Sequence, residues 1–215
     1  MRVLVFGDSI TQGFWDVDGG WVERIRKYYD SLQVTDLVGR DEPTVFNLGI
    51  SADNSANILA RIEPETIART RHGNLPIVII QIGVNDSSRD ESQEKAGNGL
   101  TLEEYEENLK AIIKKAKPVS SKIILVGSSA CDEAKTTPVS WGNFYYTNEA
   151  IKAYEDKMKK IAVENNITFI PVFDSFLKAL GEGKDLLPDG LHPNSDGHEL
   201  MSSIILEKLD PLLKV

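Results

Sequence analysis

The apolar positions of this chain gather into five short runs, at residues 3–6, 44–48, 77–82, 122–126 and 167–172, rich in valine, isoleucine and phenylalanine. Each run is continuous rather than alternating. That pattern predicts strands covered on both faces, as in a parallel sheet packed between helices. Between the runs the apolar spacing changes to that of a helix, as at Trp21, Ile25, Tyr28, Tyr29 and Leu32, and at Leu102, Tyr105, Leu109, Ile112 and Ile113. Two further helices are predicted, over residues 147–163 and 198–209, the last beginning near Asn194 or Ser195, either of which can cap it. Pro64 predicts two short helices or a kink between residues 54 and 71, because it removes a backbone donor. The order is strand, helix, strand, helix throughout, an α/β class. With no repeat, low-complexity tract or composition shift, one domain over residues 1–215 is the simplest expectation.

Two polar loops, at residues 87–99 and 128–146, follow predicted strands at their carboxyl ends, the edge at which open α/β sheets bind ligands. The second carries Trp141, Phe144, Tyr145 and Tyr146. Three roles fit these rings: a substrate wall, a lid packed on the core, or a contact with a second copy in a homo-oligomer.

Composition narrows the partners. With 41% hydrophobic and 27% charged residues the 215-residue chain is of ordinary globular type, and its formal charge of −9 repels nucleic acid and anionic membranes. No apolar run approaches the roughly 20 residues of a membrane helix, so no stable membrane association is expected. Cys131 is the only cysteine, which excludes an internal disulfide and a CxxC site. The strand-like segment directly after Met1 leaves no room for an export leader, and a cytoplasmic location is expected.

The first run ends in Gly7-Asp8-Ser9. This is a turn with a cap on one reading, and a serine presented at the sheet's ligand-binding edge on another. A serine hydroxyl needs a base to become a nucleophile. Of the three histidines, His72 sits in a charged helix end and His198 in the first turn of the last helix, where a structural hydrogen bond is expected. His192 has Asp189 three residues before it, with Gly190 permitting a tight turn that can place the carboxylate on Nδ1. Donors for a tetrahedral oxyanion are available from the Ser9 N–H, from Gly49 at the end of the second run, and from the Asn85 amide after the third; both latter stretches also read as plain turns.

Other chemistries fit less well. G-x-S-x-G fails at Thr11, an aspartyl phosphotransferase would need an acid where Ile10 stands, no P-loop string occurs, and no His or Cys cluster offers a metal site. Gly7-Asp8-Ser9, Asn47 with Gly49, Gly83-Val84-Asn85-Asp86 and Asp189-Gly190-Leu191-His192-Pro193 together resemble the four sequence blocks of the SGNH hydrolases, the GDSL-type esterases and lipases. The resemblance implies a flavodoxin-like, three-layer α/β/α sandwich around a five-stranded parallel sheet. It implies Ser9, Asp189 and His192 as catalytic triad, with Ser9, Gly49 and Asn85 as oxyanion hole and Asp8 and Asp86 in support. It also implies a small-molecule ester substrate and neither metal nor cofactor. "GDSI" here replaces the family's "GDSL". An acyltransferase using an alcohol acceptor, and an inactive ligand-binding module, are the alternatives on the same fold.

Overall fold

The computed structural model describes residues 1–38 and 42–213. The five apolar runs form one sheet: β1 (Arg2–Gly7), β2 (Thr44–Gly49), β3 (Ile77–Gln81), β4 (Lys122–Val126) and β5 (Thr168–Ile170), in the order β2-β1-β3-β4-β5 with every neighbouring pair parallel. β5 is shorter than the apolar run suggests because Pro171, which has no N–H for the ladder, follows it directly.

Alternation along the strands builds two cores. Val3, Val5, Ile77, Ile79, Ile124 and Val126 face one side, where they meet helices α2 (Gly20–Thr35), α7 (Phe173–Gly181) and α8 (Ser195–Leu213) through Trp21, Phe176 and Met201. Leu4, Phe6, Val78, Ile80 and Leu125 face the other, against α3 (Ser55–Arg69), α4 (Leu102–Ala116) and α6 (Asn148–Glu164) through Ile62, Leu109 and Met158. The result is the three-layer α/β/α sandwich. Two single-turn helices, α1 (Ser9–Gln12) and α5 (Glu133–Thr136), lie in the loops at the carboxyl edge.

Pro64 does not split this segment into two helices, for α3 runs through it without interruption. Ile58, Ile62 and Thr66 are buried and hold the register, while Pro64 and Ala60, the residue whose carbonyl loses its partner, are exposed, so the freed carbonyl is open to solvent. Asn54 opens this helix with a capping box to Asn57, and Asn194 caps α8 through Gly197 N–H at 3.0 Å.

Candidate active site

β1 delivers Ser9 to the carboxyl edge through a glycine that nothing larger replaces. A Cβ at Gly7 would lie 1.9 Å from Thr11 Oγ1 and 2.6 Å from the Gln81 carbonyl oxygen, because α1 folds back directly onto the strand end. Asp8 starts α1 by accepting the Ile10 N–H on Oδ1 at 2.9 Å. Ser9 is therefore the first residue of the helix, with an N–H that has no intrahelical acceptor.

From the other end of the chain, 183 positions away, His192 Nε2 comes to 2.9 Å from Ser9 Oγ. Asp189 fixes that ring. Its Oδ1 accepts the N–H groups of Leu191 (2.9 Å) and His192 (2.8 Å), and its Oδ2 lies 2.7 Å from His192 Nδ1. Gly190 makes the turn possible, with φ +90° and a missing Cβ that would stand 2.6 Å from the Lys135 side chain. Burial opposes the charge on Asp189 but is outweighed by the hydrogen bonds from the His192 side chain and from the His192 and Leu191 N–H groups, which hold its carboxyl down at about 2. The acid thus stays ionised whenever the protein is folded near neutrality.

Asn85 opens a 3₁₀ turn (Asn85–Ser87) after β3. The Tyr146 hydroxyl donates to its Oδ1 at 3.0 Å, and its Nδ2 donates to the Asp53 carbonyl at 2.8 Å, which leaves one amide hydrogen for the cleft. Asp86, fully buried, accepts the Ser55 N–H on both oxygens at 3.0 and 3.2 Å and so locks the start of α3 to this turn. Burial pushes the carboxyls of Asp86 and Asp8 up to about 6, against the hydrogen bonds each accepts, from Ser55 and Ile10 respectively.

Gly49 does not take the expected place. It pairs with Gly7 as the last residue of β2, and its N–H donates to Asn47 Oδ1 at 2.9 Å. It is a glycine because Gln12 N would lie 2.2 Å from a Cβ there. The chain reaches the cleft three residues later, at Ala52, whose φ of +68° turns its N–H away from any acceptor among the described residues. That turn is held on all sides: Asp53 N–H donates to the Ile50 carbonyl (3.1 Å), and Asn98 Nδ2 to the Ala52 carbonyl (2.7 Å). No residue type marks Ala52 in the sequence. The available signal was the Asn54 to Asn57 capping box, which starts α3 at Ser55 and so assigns residues 50–53 to the ligand-binding edge.

Ser9, Ala52, Asn85, Asp189 and His192 all border one cleft of about 550 Å³. Phe14, Trp15, Trp141, Phe144 and Tyr146 supply its apolar wall, so three of the four rings in the aromatic loop face substrate space, while Tyr145 instead pairs with Arg89. The His192 ring sits between Phe14 (centroids 5.0 Å apart) and Trp141 (5.9 Å). The other histidines lie apart. His72 is exposed. His198 is fully buried; the Phe14 backbone is its hydrogen-bond partner, outside strict geometry, and burial pulls it down to about 4, outweighing Asp16 and that contact. Among the described residues no group of His, Cys, Asp and Glu could hold a metal ion, and no helix is long and apolar enough to cross a membrane.

The chain of contacts from Asp189 through His192 to Ser9 can withdraw the hydroxyl proton as the oxygen attacks a carbonyl carbon, with N–H donors nearby for the oxygen that becomes charged.

Comparison with known proteins finds a family and relatives that share this fold. The model of the GDSL-like lipase/acylhydrolase family matches residues 5–200. An isoamyl acetate-hydrolyzing esterase from Saccharomyces cerevisiae is 24% identical over 217 residues, spanning 97% of this chain and 86% of its own length. An acetylxylan esterase from Geobacillus stearothermophilus is 28% identical over 174 residues, spanning 77% and 71% respectively. Among solved structures, a lipase/acylhydrolase from Enterococcus faecalis shares the fold, with a TM-score of 0.75, 22% identity and coverage of 99% and 97%.

Proposed function

The chain belongs to the GDSL-like lipase/acylhydrolase family and acts on ester bonds, and from that premise we propose that it is a serine esterase for small, water-soluble carboxylic esters, working through an acyl-enzyme on Ser9. The continuous hydrogen-bond chain from Asp189 Oδ2 through His192 to Ser9 Oγ, opening on the cleft, carries this reading.

In the first half-reaction His192 Nε2 takes the proton as Ser9 Oγ bonds to the ester carbon. The carbonyl π electrons move to oxygen, where the N–H groups of Ser9 and Ala52 and the Asn85 amide receive the charge. Collapse re-forms the carbonyl and breaks the bond to the alcohol oxygen, which leaves with the proton from His192. In the second half-reaction water gives its proton to His192 and attacks the acyl carbon; Ser9 then departs, reprotonated by His192. Ala52 replaces Gly49 as the second backbone donor. Asp189 orients the imidazole and stabilises it while it is charged.

An acetyl-sized acyl group is the preferred substrate. The yeast relative is an isoamyl acetate-hydrolyzing esterase and the Geobacillus relative an acetylxylan esterase. The net charge of −9 argues against nucleic acid and anionic lipid surfaces as substrates. The single buried thiol, Cys131, suits a reducing compartment, and we place the enzyme in the cytoplasm on that ground.

The test is hydrolysis of a series of chromogenic esters graded in acyl length. Wild-type kcat/KM should peak at the acetyl ester, and Ser9→Ala and His192→Ala should each lose roughly 10⁴-fold or more in kcat, with Asp189→Ala losing less. Full turnover by Ser9→Ala would end the proposal. Addition of an alcohol acceptor separates hydrolase from acyltransferase: new ester in place of free acid would identify the latter.

A further inference from the structure

Trp15 is an exposed tryptophan in a costly backbone conformation. Its φ is +67°, a region that bulky residues seldom adopt, and 64% of its surface is open to solvent. Burial does not explain its position, so something else holds it there. Its indole Nε1–H donates to Asp189 Oδ2 at 3.1 Å, the same oxygen that faces His192 Nδ1.

The loop around it is built to keep that contact. Gly13 (φ +89°) ends α1 and Gly20 (φ +78°) begins α2. Between them Asp16 accepts the Gly20 N–H at 2.9 Å and pairs with Arg24. The same guanidinium reaches Ser195 Oγ at 2.7 Å and Glu199 at 3.0 Å, in the first turns of α8 and within a few residues of His192. One arginine therefore clamps the loop bearing Trp15 to the segment bearing Asp189 and His192. The Trp15 ring also rests on Phe14, with centroids 4.5 Å apart, and Phe14 in turn contacts the His192 ring.

We propose that Trp15 is a positioning residue for the esterase reaction: its indole N–H holds the Asp189 carboxylate in line with His192 and withdraws part of its charge from the imidazole. The inference rests on the reading of Ser9, Asp189 and His192 as the triad. Four donors meet the two oxygens of this carboxylate, two on each, and the Trp15 donor is the one the chain could have omitted without altering the Asp189-Gly190-Leu191-His192 turn. Other charged groups act on the same imidazole. Asp8 at the end of β1 and His198 in α8 both interact with His192, while only the Lys135 stem and the Asp132 backbone carbonyl pack beside Gly190. None of them is changed by a substitution at Trp15, so the difference between wild type and variant reports the indole alone.

Trp15→Phe keeps an aromatic wall for the cleft and removes the donor. With a small acetyl ester, kcat should fall about fivefold while KM stays within about twofold, and the acidic limb of the kcat/KM profile should move to higher pH, because the uncompensated carboxylate favours the charged imidazole. A limb that stays in place or moves to lower pH would overturn the proposal, whatever happens to kcat. A second measurement needs no variant enzyme to be active: in ¹⁵N-labelled wild-type protein the Trp15 indole N–H resonance, assigned by its loss in Trp15→Phe, should titrate with the acidic limb. A resonance flat across that range would also overturn it. Failure here with an inactive Ser9→Ala condemns only the role of Trp15, whereas an active Ser9→Ala condemns the triad beneath it.

Discussion

At the scale of single residues, the site depends on which backbone and side-chain donors remain unspent. Asn85 keeps one amide hydrogen because Tyr146 and Asp53 take up the rest of its side chain. Asn85→Ala should lower kcat by roughly 10²- to 10³-fold with a small acetyl ester, the usual effect of losing one oxyanion donor, while Tyr146→Phe, which retains that donor, should cost far less. Ala52→Gly keeps the N–H and relieves the positive φ, so activity should persist; Gly49→Ala should instead lower the melting temperature, because its Cβ would collide with Gln12 N at 2.2 Å. Ser9, Asn85, Asp189 and His192 were legible because each combines a reactive side chain with local spacing that implies a turn. Ala52 was not, since its contribution is a backbone direction produced by the Asn98 and Asp53 bonds around it. Gly49 drew attention as a glycine, but its lack of a side chain serves the approach of α1. Trp15 was equally hidden: a hydrogen bond across 174 positions leaves no periodic trace.

At the scale of elements, the strands were read from continuous apolar runs because a sheet covered on both faces needs apolar residues at every position. The helices were read from their one-sided spacing, and α7 was missed because its nine residues follow the fifth run directly and have no side-chain cap to announce them. Pro64 does not split α3 in two, because the rule against proline in a helix presumes that no other donor can reach the freed carbonyl, which fails on a solvent-facing turn. A buried acid joins three of these elements. Glu155 of α6, 4% exposed, accepts the Ser128 N–H at 2.9 Å beyond β4, and the Phe173 N–H at the start of α7 also bonds to it. Burial pushes its carboxyl from the usual 4.5 up to about 7, against Lys152 and those two N–H groups. The folded state therefore holds a proton that the unfolded chain releases earlier, so this contribution to stability is complete below pH 4.5 and is lost as pH rises through 7. Glu155→Gln removes that loss. Its stability relative to wild type should rise between pH 5 and 8 by up to about 3 kcal/mol in chemical denaturation, whereas a gap independent of pH would contradict the account.

At the scale of the whole molecule, the parallel sheet converts separation in sequence into proximity. Every strand ends at the same edge, so residues following β1, β2 and β3 converge there, and α8 returns the segment that precedes it to the same rim. That is why blocks spread from Gly7 to Pro193 describe one cleft, and why the topology was readable while the shape of the cleft was not. The five rings that wall it come from two loops whose paths depend on bonds such as those between Arg89 and Tyr145. The central claim is that Ser9 Oγ is the atom that takes the acyl group. Intact-mass and peptide mapping after treatment with a serine-directed fluorophosphonate tests it most directly: one adduct per chain, on Ser9, formed in step with loss of esterase activity and absent from Ser9→Ala, is the predicted result. An adduct on another residue, or an inactivated enzyme with Ser9 unmodified, would contradict it.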